Sequence, residues 1–259
     1  MPPASHRRVL AGLPVTSLGT LTSRVLGMLR DIATAALFGL SGSAVMDAFV
    51  IAFRIPNLFR RLFGEGALTA SYLPVLASEQ ARDTESGWRL ATAVFTMLVV
   101  LMAAIVVVGE IGLAVLAARF GHIPRVALVA GLTAVMLPNT IFTCLAAQMA
   151  ATLQAVGRFA AAALVPTIMN ICWLVAAVVV APRFAPDRQL QAYTIAAAIL
   201  IAGGLQVAVL AAALGKIGFR FTYDFAAAQP ALALVARGFL PTLLGLAITQ
   251  VNTLVDSGV

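Results

Sequence analysis

Charge is scarce in this chain: Asp, Glu, Lys and Arg together make up 10% of its 259 residues, against about 25% in soluble domains. Histidine and cysteine are scarcer still, at two residues each. His6 lies in the N-terminal tail and His122 in a loop, so they cannot gather on one metal ion, and no metal is expected. Cys144 and Cys172 fall in apolar runs. There they read as small buried side chains, because a disulfide framework or thiolate metal site needs more ligands at tighter spacing. No nucleophile–base pair stands out, so the sequence points away from an enzyme and requires no cofactor. Lys and Arg outnumber Asp and Glu by 17 to 10. No basic run interleaves with aromatic residues, however, and a nucleic-acid partner is not expected.

What the chain has in abundance is apolar length. Hydrophobic residues make up 61% and the mean hydropathy is +1.01. Runs of eighteen or more apolar residues recur, long enough for helices to cross a hydrocarbon core about 30 Å thick. They are continuous and rich in Ala, Leu and Val, unlike the short alternating segments of a membrane β-barrel. The expectation is an all-α polytopic membrane protein whose residues 1–259 form one bundle of about seven transmembrane helices. Spans are predicted near 13–38, 44–76, 90–116, 127–153, 161–182, 191–214 and 231–255. Arg7 and Arg8 precede an apolar stretch, but Gly12, Pro14, Thr16 and Ser17 interrupt it and no cleavage site follows. That stretch reads as the start of a retained first span. Arg7, Arg8, Arg82, Arg89, Arg158, Lys216, Arg220 and Arg237 fall on one side of the membrane, and Arg119, Arg125, Arg183 and Arg188 on the other. The excess places the N-terminus in the cytoplasm.

Against this background the first two spans are anomalous. The second carries Asp47, Arg54, Asn57, Arg60, Arg61 and Glu65, and the first carries Arg24, Arg30 and Asp31. A charge at the bilayer centre costs roughly 2.5–3.5 kcal/mol on insertion scales, so these groups should face protein or water. At about 100° per residue, Asp47, Arg54, Arg61 and Glu65 form one stripe, with Arg60 pointing elsewhere. Ser17, Arg24 and Asp31, seven residues apart, form another stripe, with Arg30 rotated away. Pro56 predicts a kink, and Gly64 and Gly66 a further loosening. Gly27 permits close approach of a helix or ligand. Some arginines can pair with Asp31, Asp47 and Glu65 or snorkel from span ends. Five arginines nonetheless outnumber three carboxylates by two, and guanidinium suits phosphate through its bidentate fork. Asn139, Gln148, Asn170, Gln206, Gln250 and Asn252 are expected mainly to hydrogen-bond between helices. Pro138 and Pro166 are expected to bend spans four and five.

The motifs around these charges resemble a known family. Ser23-Arg24-Val-Leu-Gly27-Met-Leu-Arg30-Asp31, Asp47-Ala-Phe, Phe53-Arg-Ile-Pro-Asn-Leu-Phe-Arg-Arg-Leu-Phe-Gly-Glu-Gly-Ala67 and Tyr72-Leu-Pro-Val-Leu76 are similar to the MurJ (MviN) family of lipid II flippases. Leu153-Gln-Ala-Val-Gly-Arg158-Phe with Pro166 and Asn170 resembles its fourth-to-fifth-span connection. The stretch from Pro241 through Gln250-Val-Asn252 to Asp256 resembles its seventh span. The resemblance implies membership of the multidrug/oligosaccharidyl-lipid/polysaccharide exporter superfamily and a place in the bacterial cytoplasmic (inner) membrane. It implies movement of undecaprenyl-diphosphate-linked peptidoglycan precursor, lipid II, from the inner to the outer leaflet for cell wall synthesis. Residues Arg24, Arg30, Asp31 and Arg60 would bind substrate, with Asp47, Arg54, Asn57, Arg61 and Glu65 as further cavity lining. The family has about fourteen spans in two halves, so the expectation is an N-terminal half without the second bundle, truncated after Val259. Its partners would be lipid II, membrane lipids and a separate second-half chain. The alternatives are a related exporter of another polyprenyl-linked glycan and a half protein that transports nothing.

Overall fold

The structure, a computed structural model, describes residues 4–39, 44–64, 66–222 and 224–256, with side chains from 18 to 246 except 64. The described chain is built from helices: α1 (Ala4–Phe38), α2 (Ala44–Phe59), α3 (Ala67–Arg82), α4 (Thr84–Phe120), α5 (Pro124–Met136), α6 (Asn139–Ala155), α7 (Phe159–Val175), α8 (Arg188–Lys216) and α9 (Phe225–Asp256). A π-helical turn, Arg60–Gly64, follows α2, and a second, Ala176–Val180, extends α7 into a short 3₁₀ turn. The helices coincide with the seven predicted spans, the second corresponding to α2 and α3 and the fourth to α5 and α6. Among the described residues, five segments are long and apolar enough to cross a membrane, the first being Thr84–Phe120. The two charged spans, α1 and α2–α3, are absent from that set.

Prolines and glycines mark several of these helices. Pro56, where a kink was expected, lies buried inside α2, which runs on for three residues beyond it. A π turn at Arg60–Gly64 follows, and α3 starts at Ala67 with Gly66 before it, where Gly64 and Gly66 were expected to loosen the span. Gly66 explains the position: a Cβ there would collide with the Arg61 carbonyl and with Leu246 of α9. The span-four break falls where Pro138 predicts it, between Met136 and Asn139, and Pro166 lies inside α7.

Packing divides into two apolar clusters. One joins α3, α4, α6, α8 and α9 through Tyr72, Leu76, Phe95, Leu98, Met102, Leu153 and Leu210. The other joins the end of α1 to α2, α5, α7 and α8 through Phe38, Phe49, Met136, Trp173, Ile195 and Ile199. Lipid tails are as apolar as these side chains, so close packing and hydrogen bonds hold such helices together. Small residues allow the approach: a Cβ on Gly19 of α1 would lie 3.0 Å from the Ala163 Cβ of α7. Most span threonines need no partner on another helix. Thr34, Thr92, Thr133 and Thr143 donate to the carbonyl four residues earlier, the local bond that lets a hydroxyl sit inside a helix.

Two connections fix the helices that matter for the site. Between α6 and α7 the chain reverses at Gly157, whose φ of +76° suits glycine, and the Arg158 amide bonds the Leu153 carbonyl at 2.8 Å. At the far end of α1, Arg188 Nη1 of α8 donates to the Phe38 carbonyl at 3.2 Å and caps the helix.

Candidate functional site: a cationic cavity within the bundle

Between the two apolar clusters lies a cavity of about 580 Å³, lined by α1, α2, α3, α6, α7, α8 and the π turn after α2. Its volume falls in the range of small-ligand sites. Arg30 enters it from α1 and Arg60 from the π turn, while Asn57, Thr69, Asn139, Thr143, Asn170 and Gln206 give it a polar wall. Phe53, Val165 and Met169 supply apolar wall.

Arg30 is held by three partners. Its Nε and Nη2 donate to Asp31 Oδ1 at 2.9 and 2.7 Å, and its Nη1 donates to Asn170 Oδ1 at 3.1 Å. The guanidinium carbon stands 4.5 Å from the Trp173 ring centroid, within cation–π range. Each support is itself tied to α1. Asn170 Nδ2 donates to the Ser23 carbonyl at 2.9 Å, and Trp173 Nε1 donates to Thr34 Oγ1 at 3.1 Å. Thr34 in turn donates to the Arg30 carbonyl. Asn170 and Trp173 are neighbours on one face of α7, three residues apart. Gly27 lies beside the Asn170 carboxamide, and a Cβ there would make only ordinary contact, 3.8 Å from Asn170 Nδ2. The Arg30 side chain is 22% exposed, so it meets the cavity without being sealed from it.

Arg60 is oriented differently. Its Nε and Nη2 both donate to Asn57 Oδ1, at 3.1 and 3.0 Å, one turn earlier. The π turn adds a residue to the helical repeat, and such turns recur at functional sites.

The predicted site residues are thus sorted onto different surfaces. Arg30, Arg60 and Asn57 share the inner cavity. Arg24 and Asp31 line a groove on the other face of α1 with Met28, Ile32 and Ala35, and Gly27 lines both spaces. The Arg30–Asp31 ion pair bridges the two. Asp47, Arg54 and Arg61 are exposed on α2 and its π turn and do not line the inner cavity. The buried face of α2 is Ala48, Phe49, Ala52 and Pro56. Arg24, Arg54 and Arg61 make no hydrogen bond or ion pair among the described residues. Glu65 and the side chains of Ser17, Gln250 and Asn252 lie outside the described residues.

Three span carboxamides do bond between helices: Asn170 as above, Gln148 to Thr69 Oγ1, and Gln206 to the Val165 carbonyl. Asn139 does not. Sequence reasoning missed Trp173 as a support for Arg30. The signal available was its place one turn from Asn170, since a polar and an aromatic residue on one helical face can grip the same guanidinium.

With the geometry in hand, the chain can be set beside known proteins. A family model described as lipid II flippase MurJ matches residues 34–259. A probable lipid II flippase MurJ of Bdellovibrio bacteriovorus is 34% identical over 97% of this chain and 48% of its own length. The lipid II flippase MurJ of Burkholderia cenocepacia is 29% identical, covering 93% and 47%. A solved structure of lipid II flippase MurJ in an inward closed conformation superposes with a TM-score of 0.72 at 25% identity, covering 93% of this chain and 49% of that one. The MATE transporter VcmN of Vibrio cholerae, in its bent form, matches with a TM-score of 0.72 at 14% identity and shows the shared fold alone. The chain spans about half the length of the curated relatives it matches. It is a multi-pass membrane protein of all-helical, exporter-type fold, and it belongs to the lipid II flippase MurJ family.

Proposed function

We propose that this chain forms the substrate-holding N-terminal bundle of a lipid II flippase in the bacterial inner membrane, with its N-terminus in the cytoplasm. The observation that carries the reading is the convergence of Arg30 and Arg60 on one cavity inside a membrane bundle, with Arg30 already fixed by Asp31, Asn170 and Trp173. Two guanidinium groups facing a polar space supply charge-assisted bonds suited to a diphosphate. Fixing one of them beforehand lowers the entropy lost when the anion binds.

Arg24 and Asp31, on the outer groove of α1, and the exposed Asp47, Arg54 and Arg61 need water or protein opposite them in a membrane. A second bundle, continuous with this chain or supplied by another, would provide that surface. Rocking of the two bundles about the held head group would expose it to each leaflet in turn. The lipid tail would stay in the bilayer while the diphosphate crosses against arginines.

The test is binding of purified lipid II to the chain in lipid nanodiscs, comparing wild type with Arg30→Ala and Arg60→Ala. Tight binding by the wild type and loss in both variants supports the reading, and equal binding by all three overturns it. Complementation follows, by co-expressing the chain with a second half while the native flippase is depleted. Restored growth distinguishes a lipid II flippase from an exporter of another polyprenyl-linked glycan and from a half that only binds.

A further inference from the structure

The arginine end accounts for only part of the cavity. Asn139, at the start of α6, is 3% exposed and lines the same space, yet its carboxamide makes no hydrogen bond among the described residues. Its Oδ1 is fully buried and unpaired, packed on α8 where a Cβ on Gly203 would collide with it. That oxygen has no surface to offer a ligand, so the group Asn139 presents to the cavity is its amide, a donor with no partner among the described residues. An unmet polar group of this kind costs about 1–3 kcal/mol. Gln206, one turn further along α8 and 4% exposed, gives its amide to the Val165 carbonyl at 2.7 Å, while its carboxamide oxygen accepts nothing among the described residues. Thr143, one turn after Asn139, donates to backbone carbonyls and keeps its lone pairs. The recess is neutral, has both donors and acceptors, and carries no carboxylate.

We infer that this recess on α6 and α8 is a second subsite, which reads a neutral hydrogen-bonding group attached to the phosphate that Arg30 and Arg60 hold. A sugar hydroxyl or an N-acetyl amide has the required chemistry, since each offers a donor and an acceptor side by side. An anion would find no cation on this wall, and an alkyl chain would leave Asn139 and Gln206 unpaired. The inference rests on the diphosphate reading above and adds the basis of head-group selectivity. The arginines would bind any polyprenyl diphosphate, and Asn139 with Gln206 would favour the glycosylated one. Interhelical bonding, the expected role of these two residues, explains one half of Gln206 and nothing of Asn139.

The experiment uses two probes with the chain in nanodiscs: farnesyl diphosphate, and the same lipid diphosphate bearing one N-acetylhexosamine. Wild type should bind the glycosylated probe more tightly. Asn139→Leu and Gln206→Leu, which keep volume and remove hydrogen bonding, should each weaken the glycosylated probe roughly three- to tenfold. They should leave the bare probe within about twofold, which also reports that the variants are folded. Thr143→Val should act in the same direction and more weakly. Equal weakening of both probes, or no change in either, overturns the recess as a subsite while leaving the diphosphate reading intact. Failure of the wild type to bind either probe, or retention of both by Arg30→Ala/Arg60→Ala, removes the diphosphate reading and this inference with it.

Discussion

Asn170 holds Arg30 with one end of its carboxamide and the backbone of Ser23, seven residues earlier on the same helix, with the other. A single side chain of α7 therefore sets both the position of α1 and the direction of its cavity-facing charge. Asn170→Ala should weaken diphosphate binding about tenfold, close to 1.4 kcal/mol, as Arg30 gains freedom it must lose again on binding. Asn170→Gln, with the same groups on a longer arm, should fall between the two. Titration with farnesyl diphosphate reads both.

Trp173 contributes through its ring face and its Nε1 proton. Trp173→Leu should lower diphosphate affinity by a factor matching a cation–π contact of about 0.5–2 kcal/mol. Trp173→Phe should keep much of that affinity while losing the bond to Thr34. If the two variants bind alike, the ring face does not position Arg30.

Gly203 and Asn139 should be coupled. Gly203→Ala places a methyl group on Asn139 Oδ1 and within 3.0 Å of Phe142 Cβ, and overpacking of this kind costs about 1–3 kcal/mol. Asn139→Ala should recover much of that loss in the double variant. A thermal-unfolding double-mutant cycle gives the coupling, and strict additivity would place the two side chains apart.

Tyr72 tests the core of the other cluster. Its hydroxyl is buried 2.9 Å from Thr152 Oγ1, which also donates to the Gln148 carbonyl. Tyr72→Phe should cost about 0.5–1.5 kcal/mol in unfolding, the usual net value of one such bond. Binding of diphosphate should not change.

At the polar turn between α3 and α4, Asp83 caps α4, and amide donors from Glu85 and Ser86 hold its carboxyl below the ordinary carboxylate range. Because the folded value is the lower one, the cap's contribution is complete above the unfolded carboxylate value and disappears as pH falls through the folded value. The Ser86 amide should therefore exchange faster at acid pH, and Asp83→Asn should reduce that pH dependence. Hydrogen exchange measured at several pH values checks it.

The fold was largely legible because apolar length fixes where helices can cross, and every predicted span lies within the helices, which run up to nine residues beyond its limits. Helical phase also separated Arg30 from Arg24 and Asp31, as the two spaces on either side of α1 confirm in geometry. In the second span the loosening expected at Gly64 and Gly66 coincides with the π turn and the start of α3. The collision that makes Gly66 necessary involves Leu246, about 180 residues away. The Asp47–Arg54–Arg61 stripe was a correct reading of phase, but periodicity cannot say which face of a helix looks inward. For α2 the packing of Ala48, Phe49 and Ala52 decided that. Asn139 was legible only as a polar residue in a span, since its want of a partner is a property of the assembled bundle.

Asp31 has one more consequence. Of the five N–H groups on Arg30, two already point at Asp31 and a third at Asn170. An arriving phosphate must either make do with the remaining two or displace the carboxylate. Asp31 is then an internal rival for the same guanidinium, always present at fixed distance and 68% exposed on its own side. Its presence caps the affinity the cavity can reach, and it is ready to reclaim Arg30 when the anion departs. A receptor would be weakened by such a rival. A carrier of the kind proposed above, whose cycle would end only when it let go, would gain from it in release.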